Sequence, residues 1–184
     1  MTSDYTINEY IRKALVSIIN DSDYLVIKAD QNSPRNGTPY CTVKVMASKP
    51  VSWEEFSRED NGESGTEITS KVMRSILVNF QFFKNNLDTH DPFYIAGLCR
   101  QALNRETIST MLNNYGLGLA TRSQVRNMTF QLDNGFEERA NFTATFNYVD
   151  TDSEIITTIS TVDVTGEYQL GDRVESLAID IDNN

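Results

Sequence analysis

Apolar residues recur at spacings of three and four near the start of the chain, where Ile7, Tyr10, Ile11, Leu15, Ile18 and Ile19 share one helical face. Thr6 and Glu9 form a capping-box pattern, so a helix is expected from Tyr5 to Asn20. From Tyr24 to Ala29 the chain turns β-rich, and residues 31–39, with Pro34, Asn36-Gly37 and Pro39, have loop chemistry. Strict alternation then marks strands. Cys41, Val43 and Val45 alternate with Tyr40, Thr42, Lys44 and Met46, and Ile76, Val78, Phe80 and Phe82 alternate with Leu77, Asn79, Gln81 and Phe83. Ala140, Phe142, Ala144, Phe146 and Tyr148 repeat the pattern. A shorter run, Met128, Phe130 and Leu132, joins it through the Asn134-Gly135 turn. A further strand is expected from about Glu154 to Val164.

Two more helices fall between these strands. Asp91-Pro92 is a helix start, followed by the stripe Ile95, Leu98, Cys99, Ala102 and Leu103; Asn104 is expected to cap a third helix carrying Ile108, Met111 and Leu112, which Gly116 stops. Ser48 to Gly65 is charged and rich in Ser, Asn and Gly, with Trp53 and Phe56 as its aromatics, and is expected to be a long surface loop. The pattern predicts an α+β fold: a mainly antiparallel sheet with two or three helices packed on one face. Residues 1–166 form a single domain in this reading. Residues 167–184, with five acids against one arginine, form an acidic C-terminal arm or tail, either mobile or able to add Leu177, Ile179 and Ile181 as a strand to a neighbour.

Composition narrows the function. In 184 residues there are 16 Lys and Arg against 26 Asp and Glu, a net charge of −10, which disfavours nucleic-acid binding by the whole surface. Two cysteines and one histidine exclude a disulfide scaffold and a histidine-rich metal site, and no apolar run reaches the roughly 18 residues of a membrane span. The start of the chain shows no secretory pattern, so free thiols in a reducing cytosol are expected. Catalytic motifs are missing as well: there is no nucleophile elbow, phosphate loop or dinucleotide glycine motif, and Gly116-Leu117-Gly118 reads as a helix stop. His90 reads as a loop histidine beside the capping Asp91, without a chemical role. The acids from Glu54 to Glu63 lack the ligand spacing of a calcium loop. Arg139 is either a bidentate partner of a carboxylate, across the sheet or across a subunit boundary, or an exposed arginine.

The stretch Val26-Ile27-Lys28-Ala29-Asp30-Gln31-Asn32-Ser33-Pro34-Arg35, running on through Pro39-Tyr40-Cys41-Thr42-Val43-Lys44-Val45, resembles the signature of the neck or tail-terminator proteins of tailed bacteriophages. The later order is similar too: a long strand, a helix pair, the Glu138-Arg139 step, then Phe142 to Tyr148 and an Ile-rich strand, so that the likeness runs from about Asn8 to Glu167. The resemblance implies a structural virion protein and not an enzyme. Its subunits would form a homohexameric ring that caps the tail tube, contacts tube or sheath proteins, and joins the tube to the head connector. DNA would pass through without specific binding, with no membrane and no cofactor involved. A connector, a tail-tube protein or a ligand-binding α+β domain are the alternatives. The residues expected at subunit or partner contacts are Arg35, Tyr40, Trp53, Phe56, Arg139, Leu177, Ile179 and Ile181.

Overall fold

Helix α1 spans Asp4–Ile19 in the computed structural model of the chain, and Asn20 ends it in the left-handed region at φ 47°, its N–H donating to the Val16 carbonyl at 2.9 Å. The described residues are 4–29, 39–60, 65–84, 91–132, 135–156, 163–170 and 173–180. They divide into two compact units, Met1–Glu55 with Lys71–Thr151, and Phe56–Ser70 with Asp152–Asn184. The first holds all three helices and most of a seven-stranded sheet.

That sheet has the order β1 (Leu25–Lys28), β2 (Tyr40–Pro50), β4 (Thr66–Phe83), β9 (Arg139–Ile156) and β5 (Gly118–Arg122), with β3 (Glu55–Asp60) on β4 and β6 (Arg126–Asn127) on β9. β1 pairs parallel to β2, whereas β2 with β4 and β5 with β9 are antiparallel. Lys84 N–H reaches the Glu138 carbonyl at 3.2 Å while Arg74 meets Asp150 ten residues back along the strand. Rising numbers on one strand meet falling numbers on the other, so β4 and β9 are antiparallel as well.

The predicted alternation sets the core. Cys41 and Val43, then Ile76, Val78, Phe80 and Phe82, then Ala140, Phe142, Ala144 and Phe146 are all buried in one cluster with Ile7, Ile11, Ala14 and Leu15 of α1. Helix α2 (Pro92–Ala102) adds Ala96 and Cys99, and α3 (Glu106–Asn114) adds Ile108 and Leu112. Because every one of these strand residues has the same phase, the three helices cover one face of the sheet, and no described helix covers the other. Phe80 and Phe142 stack at 4.7 Å and Phe82 and Phe142 at 5.9 Å, while Tyr10 of α1 stacks on Tyr115 at 4.0 Å. Each fully buried ring of this kind contributes about 1.5–3 kcal/mol through the apolar area it removes from water. Burial pushes the Cys99 thiol up to about 12 and raises the Cys41 thiol well above its ordinary value, the latter helped by Cys99 nearby, so both are protonated, unreactive core residues.

Helix ends depart from the sequence reading in two places. Asp91 caps α2 as expected, its Oδ1 accepting from Phe93 N–H at 2.8 Å, and Gly116 at φ 74° stops α3. Asn104 does not cap α3; Arg105 occupies that position without a side-chain cap bond. Thr6 lies within the first turn of α1, and Glu9, its expected capping partner, turns to Arg12 at 2.8 Å and to Lys28 of β1 at 3.1 Å. Hydrogen bonds from Arg12, helped by Lys28, hold the Glu9 carboxyl down at about 2 against its ordinary 4.5. A carboxylate depressed on folding adds stability above its unfolded value and loses it as pH falls through the folded one. Glu9→Gln is therefore expected to lower the urea midpoint at neutral pH and to lose that effect progressively between about pH 4.5 and pH 2. A midpoint difference that does not change with pH contradicts the assignment.

The larger correction concerns Ser48 to Gly65. β2 continues to Pro50 and Glu55–Asp60 is strand β3, paired with β4, so much of the expected loop is sheet. Its residues are exposed, which is why a polar, charged composition masked the strand. In the second unit, β10 (Asp163–Leu170) and β11 (Arg173–Asp180) form a two-stranded antiparallel sheet of their own. The strand expected from Glu154 to Val164 is thus divided: Glu154–Ile156 ends β9 and Asp163-Val164 begins β10. The run Met128 to Leu132, expected to join the Ala140 to Tyr148 strand through Asn134-Gly135, instead has β7 (Phe130–Leu132) paired antiparallel with β8 (Gly135–Glu137), and Asn134 of the expected turn lies outside the described residues.

Candidate functional site

The opposite sheet face presents half-buried Thr42 and Lys44 from β2, Asn79 from β4, and Asn141, Thr143, Thr145 and Asn147 from β9. Amides and hydroxyls dominate it. Two of its acceptors, Asn79 Oδ1 and Asn141 Oδ1, are buried without a hydrogen-bond partner among the described residues, which costs about 1–3 kcal/mol each unless another molecule supplies donors. At one end of this face Tyr40 stacks on Phe83 at 4.5 Å, and the Arg139 guanidinium lies 5.2 Å from the same ring while pairing with Glu137. Tyr40 and Arg139, forecast separately as contact residues, are thereby brought to one aromatic ring. Phe83 itself was read only as part of an alternation, and it is what joins them. Beside Arg139 a cavity of about 120 Å³ is lined by Gln81, Met128, Arg139, Ala140 and Asn141.

The other forecast residues lie elsewhere. Trp53 is 94% exposed between β2 and β3, and Phe56 on β3 is 67% exposed. Leu177 and Ile179 sit on β11, where they are paired across the strand with Gly166 and Val164 of β10. Arg35, Ile181 and His90 fall outside the described residues.

Sequence reading also missed an ion pair. Asp150 continues the inward phase of Ala140 to Tyr148 and is 7% exposed; its Oδ2 accepts from Arg74 Nε at 2.9 Å, and its Oδ1 has no partner. The signal was present, since an acid in phase with five buried apolar residues requires a cation opposite. No group of three or more His, Cys, Asp or Glu side chains among the described residues is placed to hold a metal, and no helix among them is long and apolar enough to cross a membrane.

Helices on one face of the sheet, and a polar opposite face whose acceptors are unmet among the described residues, are the build of a domain that contacts other chains. The family model of the phage neck terminator protein matches residues 9–172, and the chain belongs to that family. It is a structural protein of the phage neck, and so of the virion. No curated protein matches the chain.

Proposed function

We propose that the protein is the subunit of a homohexameric ring that ends the tail tube, joins it to the head connector, and assembles in the host cytoplasm without performing catalysis. Beside family membership, the observation that carries this reading is the pair of unpaired strand edges. β1 covers β2 only over Tyr40–Val43, and β5 and β6 cover β9 only within Ala140–Asn147, so Lys44–Pro50 and the end of β9 from Tyr148 lack a strand on their outer sides among the described residues. Long free edges invite pairing, and a closed ring satisfies them without open-ended growth. Trp53 and Phe56, both exposed, and half-buried Tyr40 and Arg139 serve as contact anchors, aromatics and arginine being the residue types that dominate such interfaces. The ribbon of β10 and β11 is assigned to partner binding, because two strands alone are marginal in water. A net charge of −10 suits a ring that passes DNA without holding it.

Light scattering on the purified protein tests the reading. The expected mass is six times the 20.8 kDa subunit. A monomer at high concentration contradicts the ring, and open polymers point to a tube subunit.

A further inference from the structure

Partly buried cations in this chain have carboxylate partners as a rule: Arg12 and Lys28 share Glu9, Arg74 has Asp150, Lys84 has Glu138 and Arg139 has Glu137. Arg100 and Arg122, both half-buried, do not. They hold each other's elements instead. Arg100 Nε at the end of α2 donates to the Ser123 carbonyl just after β5, and Arg122 Nη1 at the end of β5 donates to the Arg100 carbonyl, each at 2.5 Å. One bond apiece leaves most of the five N–H groups of each guanidinium, and its whole charge, without an acidic partner among the described residues. The surroundings sharpen this. From Pro92 to Leu132 the charged residues are Arg100, Arg105, Arg122 and Arg126 against Glu106 alone, a basic block in a chain of net charge −10.

The opposite edge of the sheet has the opposite character. In the order β1-β2-β4-β9-β5, the arginine pair stands at the β5 edge and the turn between α1 and β1 at the β1 edge. That turn carries Asp21 and Asp23, both exposed, directly after the C-terminus of α1, whose last turn has no basic residue. Asp21 Oδ1 accepts from the Asp23 N–H at 2.9 Å and shapes the turn, while the exposed Asp23 carboxylate stands near the negative end of the helix dipole, a place that attracts an external cation. A head-to-tail contact joins two different surfaces, and here one edge is basic while the other is acidic.

We infer that Arg100 and Arg122 of one subunit bind the acidic turn at Asp23 of the next copy of this chain, as the charge contact that sets the head-to-tail direction of the ring. Fork-shaped guanidinium groups, already fixed by backbone carbonyls, match carboxylates at low entropic cost. DNA phosphate is the competing anion, but the net charge of −10 repels it.

The inference rests on the ring reading, and the experiment separates the two. Association is measured by sedimentation at low and moderate salt for the wild type, Arg122→Glu, Asp23→Arg and the chain carrying both, with melting curves as a check on folding. Each single change is expected to weaken association by roughly tenfold to a hundredfold, as the loss of charged hydrogen bonds does, and the double change to restore much of it. Asp23→Arg lies away from the arginine clasp, so it tests the contact even if Arg122→Glu fails to fold. A wild-type ring unaffected by Asp23→Arg overturns this contact and leaves the ring standing; a monomeric wild type overturns both. Binding of duplex DNA that is lost in Arg122→Glu, with association intact, assigns the pair to phosphate and overturns the inference.

Discussion

Phe142→Ala is expected to cost roughly 3–5 kcal/mol of folding free energy, the range for deleting a fully buried aromatic ring. Phe142 is 1% exposed at the centre of the sheet, within stacking distance of Phe80 and Phe82, and the strands on either side are held by ladder bonds that prevent collapse around the void. Against a typical total of about 5–15 kcal/mol, such a loss removes a large part of the stability of the first unit. Urea unfolding followed by far-ultraviolet circular dichroism checks it, with Trp53→Ala as the reference. Trp53 is 94% exposed, so its loss is expected to change stability by no more than about 0.5 kcal/mol. Equal effects of the two substitutions contradict the placement of the core.

Much of this fold was legible because its core strands are buried on one face only. Period-two alternation in Cys41 to Val45, Ile76 to Phe82 and Ala140 to Tyr148 follows directly from a sheet with one covered face, and all three series are buried except Val45, which is half-buried. Where neither face is buried the signal vanishes. Glu55–Asp60 is a strand with every residue exposed, so nothing apolar marks its period, and its charge reads as loop. Capping was legible where local chemistry decides it, as at Asp91 and Gly116, and not at Arg105, which the tight turn after α2 sets in place, its N–H donating to the Ala102 carbonyl at 2.8 Å.

Contact surfaces were less legible than the core. Exposed aromatics such as Trp53 can be nominated by type, but the meeting of Tyr40 and Arg139 at Phe83 depends on register across three strands. The amide face shows the same limit: Asn79 and Asn141 look like ordinary polar positions in a strand, and only the fold leaves their oxygens buried and unpartnered among the described residues. A sheet that keeps such acceptors dry is consistent with a face closed by another chain, since a partner's donors would offset the desolvation of both groups.

Arg74→Met is expected to destabilise the protein by roughly 3–5 kcal/mol at neutral pH, more than replacement of both members of the pair together. Asp150 is 7% exposed, and Arg74 Nε at 2.9 Å supplies its one hydrogen bond, since its second oxygen is already unpartnered. Removing the arginine leaves an uncompensated charge in a site with little water. Arg74→Met with Asp150→Leu has no buried charge to compensate and is expected to recover most of the loss. Urea midpoints of the four proteins at pH 7 decide it: additive effects of the two substitutions would show that Asp150 is well hydrated and that the pair holds nothing together.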